Sequence, residues 1–282
     1  MTVDENVLEL VRRALAEDVG AGDVTTESTI PADHVSRGTI TARADGVIAG
    51  LDVAGAVFAE RDPELSFTAC VSDGDRVVAG TVVATVEGRT RAILTGERVA
   101  LNFLQRLSGI ATATAACVTA LEGGRTRVLD TRKTTPGLRS LEKYAVSVGG
   151  GENHRMGLWD MVLIKDNHIE AAGGIAQAVS AARADRPDLV VEVETKSIDQ
   201  VASAMGAGAD RIMLDNMTVE QMRDAIALAR SVDSPPEIEV SGGITGERLR
   251  AIAELGPDFV SVGALTHSAT AMDISLDLEA RQ

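Results

Sequence analysis

The sequence predicts an α/β protein in which parallel strands form a barrel, preceded by a smaller β-containing layer. The main observation is a set of short apolar stretches that each end on a polar residue or a glycine: residues 127–133, 161–168, 190–196, 211–216, 237–243 and 259–264. A buried parallel strand reads as a continuous apolar run, and the chemically active groups of an α/β barrel lie where such strands end. We therefore expect an enzyme whose site lies at the carboxyl ends of these strands.

Spacing supports the same fold class. The residues at the six strand ends follow one another at intervals of 21 to 35 residues, and one βα unit takes roughly 30 residues. An ordinary barrel has eight strands, so either this barrel is incomplete or two strands escape detection. The chain of 282 residues is long enough for a reduced barrel and a second, smaller domain.

The elements before the barrel differ in character. Residues 5–18 have apolar side chains at helical spacing, which predicts a helix that ends at the glycines of 20–23. Residues 35–95 contain short β-rich stretches broken by glycine turns, and residues 91–121 again have helical periodicity. Ser108-Gly109 leaves open whether this second helix is continuous or broken in two.

Composition excludes some classes of function. The net charge is −15 and aromatic residues make up 2% of the chain, whereas nucleic-acid binding needs basic patches and stacking rings. No stretch predicts a signal peptide or a membrane span. Cys70 and Cys117 lack metal-ligand spacing, so we expect buried free thiols and a cytoplasmic protein.

Two loops carry cations. Thr131-Arg132-Lys133 opens the first loop directly after an apolar strand, and an arginine fork beside a lysine suits carboxylate or phosphate. In the second loop, His154 and Arg155 follow three glycines at 149–151. Glycines allow a close approach to a ligand or a movable flap; the alternative is a loop with unusual φ angles and no ligand.

Further strand ends add a lysine and two carboxylates. Lys165 ends the second strand, and Glu194 and Asp215 end the third and fourth. The two carboxylates can share Mg²⁺, accept hydrogen bonds from sugar hydroxyls, or pair with Lys165; a purely structural ion pair is the alternative. These residues favour a substrate that carries several negative charges, together with a divalent metal ion.

Glycine-containing segments end the last two strands. They are Ser241-Gly242-Gly243 and Val262-Gly263-Ala264, and His267 follows the second one. Backbone N–H groups at such positions in a barrel bind phosphate. His267 is either a capping residue or a phosphate contact.

These residues together resemble the quinolinate phosphoribosyltransferase family, also named nicotinate-nucleotide pyrophosphorylase (carboxylating). The similarity extends over almost the whole chain, and it is carried by the runs 17–26, 97–105, 129–139, 151–158 and 164–168. The resemblance implies an incomplete α/β barrel of the type II phosphoribosyltransferases with a smaller α/β N-terminal domain. We expect the N-terminal domain at 1–110, the barrel at 111–265 and a C-terminal segment, 266–282, that packs back on the N-terminal domain.

The resemblance also implies an activity and roles for residues. The family joins quinolinate to phosphoribosyl pyrophosphate (PRPP), with Mg²⁺, and releases pyrophosphate and CO₂ to give nicotinate mononucleotide for NAD biosynthesis. It works as a homodimer or an assembly of dimers up to a hexamer, in which Arg98 would reach the neighbouring subunit's site. The implied catalytic residues are Lys133, Lys165, Glu194 and Asp215, the two acids lying near the metal ion. Implied to bind substrate are these four together with Arg98, Thr131, Arg132, His154, Arg155, Ser241, Gly242, Gly243, Val262, Gly263, Ala264 and His267.

Three other interpretations stay open at this point. One is a paralogue of the same fold associated with molybdenum transport. Another is a nicotinate phosphoribosyltransferase, which would not need the carboxylate-binding arginines. The third is a non-catalytic protein that binds anions on the same scaffold.

Overall fold

A computed structural model describes residues 3–244 and 246–280. The described chain folds as two compact units. The first comprises residues up to 115, 135–150 and those from 268 onward, and the second comprises 116–134 and 151–267. Segment 135–150, which the sequence analysis assigned to the barrel domain, thus belongs to the first unit. Met1, Thr2, Arg281 and Gln282, which fall within the expected terminal segments, lie outside the described residues.

The helices are numbered in chain order. They are α1 (Glu5–Val19), α2 (Val24–Thr29), α3 (Leu51–Arg61), α4 (Thr90–Ala120), α5 (Arg139–Val148), α6 (Asp166–Ala172), α7 (Ile175–Asp185), α8 (Ile198–Gly206), α9 (Val219–Ala229), α10 (Gly246–Leu255) and α11 (Ala264–His267). The predicted N-terminal helix is confirmed as α1, which begins after Asp4, whose side chain accepts a hydrogen bond from the backbone N–H of Val7. None of the helices in the described ranges combines the length and the apolar character that a membrane span requires.

The strands are also numbered in chain order. They are β1 (Val35–Ala42), β2 (Gly46–Val47), β3 (Ser66–Ala69), β4 (Arg76–Val77), β5 (Val82–Arg89), β6 (Arg127–Leu129), β7 (Val162–Ile164), β8 (Val191–Thr195), β9 (Arg211–Asp215), β10 (Glu237–Ser241), β11 (Phe259–Ser261) and β12 (Ile274–Ala280). Each of the six predicted apolar stretches from residue 127 onward contains one strand of this set.

The first unit contains a four-stranded antiparallel sheet in the order β12-β1-β5-β3. Strand β12, which comes from the C-terminal end of the chain, pairs with β1 from Ile274 opposite Ala42 to Ala280 opposite Ser36. The C-terminal strand is therefore part of the sheet that the N-terminal region builds.

Helix α4 runs without interruption through Ser108-Gly109. The Ser108 hydroxyl accepts a hydrogen bond from the backbone N–H of Ala49 at 3.0 Å. A Cβ atom on Gly109 would lie 2.1 Å from the carbonyl oxygen of Thr270, so the glycine permits a close approach of two backbone segments. Of the two alternatives for this helix, the continuous one is confirmed. Ser108 and Gly109 are explained by their packing contacts inside the first unit.

The second unit contains six parallel strands in the order β6-β11-β10-β9-β8-β7. This is the chain order arranged in a ring that stays open between β6 and β7. The central residues of these strands, such as Val193, Leu214 and Val240, are fully buried. An incomplete α/β barrel with a smaller α/β domain, one of the two alternatives from the strand count, is confirmed.

The two cysteines differ from the expectation. Both are free thiols, but Cys70 is exposed and Cys117 is only partly buried. The expectation of buried thiols was wrong for Cys70, because the strand β3 that precedes it has mostly exposed side chains.

Candidate active site

A cavity of about 340 Å³ lies at the carboxyl ends of the six parallel strands. Parallel strands bring their carboxyl ends to one edge of a sheet, so residues far apart in sequence meet there. The lining residues are Thr131, Arg132, Lys133, His154, Arg155, Leu163, Lys165, Glu194, Met213, Asp215, Asn216, Glu239, Ser241 and Ser261. Nine of the sequence-predicted site residues are in this set.

One side of the cavity is cationic. Thr131 follows β6, and its hydroxyl accepts a hydrogen bond from the backbone N–H of Lys133 at 3.0 Å, which shapes the loop. Arg155 is held by a hydrogen bond from Nη1 to the carbonyl oxygen of Met161 at 3.2 Å. Burial, and then the nearby Arg132, lower the pKa of Arg155. Two neighbouring positive charges of this kind favour the binding of an anion.

Lys165 meets an acid at the mouth of the cavity. Its Nζ lies 2.6 Å from Oε2 of Glu194, and its backbone N–H donates to Nδ1 of His168 at 2.9 Å. Of the alternatives for the two acids, pairing with Lys165 is thus realised for Glu194. Lys196 makes a separate pair with Asp166 at 2.8 Å.

Asp215 ends β9 beside a strained turn. Its Oδ2 accepts a hydrogen bond from Nδ2 of Asn216 at 2.9 Å, and Asn216 has a φ of 55°. A Cβ atom on Gly242 would lie 2.2 Å from Oδ1 of Asn216. A side chain at position 242 would collide with Asn216, so this turn requires glycine there. The turn orients Asp215 toward the cavity.

The acids are chemically suited to Mg²⁺, which takes oxygen ligands and is usually held by one or two carboxylates. Glu194 shares its charge with Lys165, whereas Asp215 accepts a hydrogen bond from the neutral amide of Asn216. Asp215 is therefore the better ligand of the two in this arrangement.

The glycine segments occupy different places. Ser241 lines the cavity, whereas Gly242, Gly243, Val262, Gly263, Ala264 and His267 are not among its lining residues. Gly263 lies directly beneath two basic side chains, since a Cβ atom there would be 3.1 Å from Cδ of Lys133 and 3.3 Å from His267. Arg98 is exposed on α4 in the first unit.

The loop at 131–137 serves two purposes. Residues 131–133 line the cavity. Thr135, by contrast, is fixed in the first unit, because its N–H and hydroxyl both bond the buried carboxylate of Glu142, which also pairs with Arg106 at 2.8 Å. The last part of the loop therefore has a structural role.

The floor of the cavity contains residues that the sequence analysis did not select. Glu239 and Ser261 line the cavity, whereas Glu192 is not a lining residue and is connected to it through His154. Glu192 and Glu239 are fully buried, and Ser261 is nearly so. The signal was present in the sequence, since alternate residues of a barrel strand face its interior. Glu192 therefore faces the same way as Glu194, and Glu239 the same way as Ser241.

His154 joins these two acids. Its Nε2 lies 3.0 Å from Oε2 of Glu192 and 3.4 Å from Oε2 of Glu239. Burial by itself lowers the pKa of His154, but the adjacent carboxylates of Glu192 and Glu239 outweigh it and raise the pKa to about 9. Burial, and then Glu239, raise the pKa of Glu192 to about 7.

A second contact of His154 limits where the extra proton can lie. The backbone N–H of Arg155 donates to Nδ1 of His154 at 2.7 Å, which requires an Nδ1 without a proton. The neutral ring therefore has its proton on Nε2, which faces the glutamates.

Comparison with known proteins identifies the family. The model of the C-terminal domain of quinolinate phosphoribosyl transferase matches residues 110–277, and the model of the N-terminal domain matches residues 23–108. A quinolinate phosphoribosyltransferase (decarboxylating) of Nicotiana tabacum is 43% identical, over 96% of this chain and 81% of the relative. A nicotinate-nucleotide pyrophosphorylase (carboxylating) of Mycobacterium leprae is 44% identical, over 96% of both chains.

Solved structures agree. NadC from Streptococcus pyogenes has a TM-score of 0.94 at 44% identity, covering all of this chain and 99% of its own. The nicotinate-nucleotide pyrophosphorylase of Francisella tularensis has a TM-score of 0.93 at 42% identity, covering 98% and 96%. Human nicotinic acid phosphoribosyltransferase, at 14% identity and a TM-score of 0.66, shares the fold alone. The resemblance read from the sequence is confirmed, and the chain belongs to the quinolinate phosphoribosyltransferase family.

Proposed function

We infer that this chain transfers the phosphoribosyl group of PRPP to the ring nitrogen of quinolinate. Pyrophosphate and CO₂ are released, and nicotinate mononucleotide is formed for NAD biosynthesis. The relatives named for this reaction match nearly the full length of the chain. The observation that carries the residue roles is the division of the cavity into a cationic side, an acidic side and an end lined by Ser241 and Ser261.

The cationic side fits quinolinate. Arg132, Lys133 and Arg155 come from the loops after β6 and before β7, and they match the two carboxylates of a pyridine dicarboxylate in charge. Bidentate pairing of guanidinium with carboxylate fixes the orientation of the ring as well as its position. The ring nitrogen is thereby aimed at the ribose.

The acidic side fits the ribose and its leaving group. Departure of pyrophosphate builds positive charge on the anomeric carbon, and the nearby Glu194 and Asp215 stabilise that charge. Attack by the ring nitrogen then forms the glycosidic bond and leaves a positive charge on the ring. The C–C bond to the adjacent carboxylate breaks with loss of CO₂, the ring charge stabilises the electron pair left on carbon, and a proton replaces the carboxylate.

Lys165 stands between the two sides. In the absence of substrate, Lys165 is paired with Glu194. When a carboxylate or phosphate arrives, the ammonium group of Lys165 can turn toward it. Lys133 serves the same electrostatic purpose, and Ser241 with the glycines of the last two strands offers backbone and hydroxyl donors to phosphate.

Mg²⁺ is the metal ion that we propose, with Asp215 as its first ligand and Glu194 as a second or indirect one. When bound, it neutralises the charge that develops on pyrophosphate. The protein groups bind, orient and exclude water.

A homodimer is part of the proposal. Arg98 is an exposed cation in the first unit, and it would complete the quinolinate site of a second copy. Mixing Arg98→Ala protein with Lys165→Ala protein should restore part of the activity through mixed dimers. Absence of any recovery, with subunit exchange verified by a mass label, would exclude a shared site. Assembly of dimers into a hexamer and a cytoplasmic location remain predictions.

An end-point assay tests the reaction itself. Quinolinate, PRPP and Mg²⁺ are incubated with the protein, nicotinate replaces quinolinate in a parallel tube, and nicotinate mononucleotide and pyrophosphate are measured. Product from quinolinate alone is expected. Product from nicotinate would indicate the nicotinate enzyme, and no product from either in a folded protein would favour the paralogue or an anion-binding protein.

A further inference from the structure

Two carboxylates are buried under the candidate active site, where an uncompensated charge is costly. Glu192 on β8 and Glu239 on β10 have no exposed surface. Oε1 of Glu192 and both carboxylate oxygens of Glu239 accept no hydrogen bond from the described residues. The neighbouring groups must therefore offset the free-energy cost of burying these two carboxylates.

One of those groups is Arg211, at the amino end of β9. Its Nη1 lies 3.6 Å from Oε2 of Glu239, while its Nη2 bonds Glu237 at 2.8 Å. The guanidinium also lies 4.0 Å from the ring centre of Phe259. Arg211 balances charge from below but does not reach the substrate side.

The other group is His154, and its two nitrogens have different partners. Nδ1 accepts the backbone N–H of Arg155, so the proton of the ring lies on Nε2 and points at Glu192 and Glu239. The acids thus select one tautomer and one ring orientation. The backbone N–H of His154 is itself fixed by Oδ1 of the buried Asp130 at 2.8 Å.

The same contacts argue against a metal ion in this cluster. Ligand atoms of His154, Glu192 and Glu239 lie within 4.8 Å of one another, a spacing that could accommodate a cation. Nε2 would need a lone pair to bind one, and then Nδ1 would need the proton. Nδ1 accepts a hydrogen bond instead. The contacts therefore favour a structural role for the cluster over a metal-binding one.

We propose that Glu192 and Glu239 are positioning residues, which hold His154 in the Nε2-protonated tautomer and thereby fix the backbone of Arg155 at the quinolinate site. The proposal rests on the proposed function, in which Arg155 binds a quinolinate carboxylate. The guanidinium group of Arg155 bonds the carbonyl oxygen of Met161, and its backbone N–H bonds Nδ1 of His154. Both the backbone and the end of the side chain of Arg155 are therefore fixed. Displacement of a binding group by about 1 Å can change a rate by about 100-fold.

Paired substitutions test the idea. Glu192→Gln keeps an oxygen that can accept the Nε2 proton, whereas Glu192→Leu has a similar volume and no acceptor. We expect the KM for quinolinate to rise by about 10- to 100-fold in the leucine variant and by less than about threefold in the glutamine variant, with a smaller change in the KM for PRPP. Glu237→Gln is the matched control, since Glu237 lies on the same strand as Glu239 and no contact joins it to His154.

A second measurement does not depend on turnover. The chain has four histidines, so ¹⁵N-histidine labelling with a His154→Gln reference assigns the two ring nitrogens by NMR. At a pH above the pKa of His154, an unprotonated Nδ1 and a protonated Nε2 are expected in the parent protein and in Glu192→Gln, with a mixture of tautomers in Glu192→Leu. The tautomer of His154 can be measured whether or not quinolinate is the substrate. The experiment therefore distinguishes an error in the proposed function from an error in the proposed role of the two glutamates.

Three outcomes would overturn the proposal. They are equal quinolinate KM values for the leucine and glutamine variants, a proton on Nδ1 and none on Nε2 of the neutral His154 ring in the parent protein, or binding of one Zn²⁺ per chain that Glu192→Leu abolishes. If Glu192→Leu does not fold, Glu239→Leu replaces it in the kinetic comparison and the NMR spectrum of the parent protein is unaffected.

Discussion

The two ends of the six-stranded sheet carry the same kinds of charged residue and use them differently. At the amino end, charges pair with one another: Asp258 contacts Arg230 and Arg125, and Arg211 contacts Glu237. At the carboxyl end, the cations Arg132, Lys133, Arg155 and Lys165 line a cavity together with three acids. At the amino end the charges pair with one another, whereas at the carboxyl end Lys165 pairs with Glu194 and the arginines and Lys133 line an open cavity.

This difference separates stability from function within one set of strands. In α/β barrels the carboxyl end carries catalysis and the amino end stabilises the fold. Strand β10 has both, since Glu237 begins it and Ser241 ends it. The glutamates of the cavity floor lie between the two ends. Substitutions at the two ends should therefore give separable effects, one on turnover and the other on unfolding.

The largest expected effect is on turnover, in Lys165→Ala. Loss of a charged hydrogen bond at the reacting centre removes about 1.5–3 kcal/mol, which corresponds to about a 10- to 150-fold fall in kcat/KM. Arg183→Ala is the control, because Arg183 is a cation paired with Asp210 next to the amino end of β9, and it should change kcat/KM by less than about threefold. Near-normal turnover of Lys165→Ala in steady-state assays would remove Lys165 from the site.

The largest effect at the opposite end should be on stability, in Asp258→Asn. Burial by itself would raise the pKa of Asp258, but hydrogen bonds from the backbone N–H of Ile238 and from Arg230 outweigh it and lower the pKa. The substitution should lower the free energy of unfolding by about 2–3 kcal/mol, measured with urea. Turnover of the folded variant should stay within about twofold of the parent.

The same substitution has a defined pH dependence. Because the pKa of Asp258 is lower in the folded than in the unfolded chain, its contribution is present above about pH 4 and is lost as the pH falls through the folded-state pKa. The difference in unfolding free energy between parent and Asp258→Asn should therefore shrink from pH 7 to pH 3. A constant difference across this range would mean that the charge of Asp258 contributes nothing.

A smaller effect should distinguish the two acids at the carboxyl end. Asp215→Asn removes the carboxylate that we propose as the first Mg²⁺ ligand, so the Mg²⁺ concentration for half-maximal activity should rise by on the order of tenfold. Glu194→Gln should raise it less, because Glu194 already neutralises Lys165. Titrations of activity with Mg²⁺ at saturating substrates measure both, and the reverse order would exchange the roles of the two residues.

The sequence predicted the strands and most of the lining of the cavity, because both follow from local patterns. Apolar runs locate the strands, and the residue after each run lies at the carboxyl end. It did not predict the uninterrupted α4, since the role of Gly109 depends on Thr270 far along the chain. Nor did it separate Thr135 from the loop that lines the cavity, because that depends on the buried Glu142. Long-range contacts of this kind leave no periodic signal.

The smallest expected effect is that of Glu237→Gln, which tests whether a charge at the amino end of the sheet influences the active site. Glu237 pairs with Arg211 at the amino end, but its side chain is 45% exposed. Exposed ion pairs contribute about 0.2–1 kcal/mol, so unfolding in urea should change by no more than this and quinolinate KM should not change. A marked rise in KM would show that Arg211 transmits the loss through Glu239 to His154. The amino end would then support the active site as well as the fold.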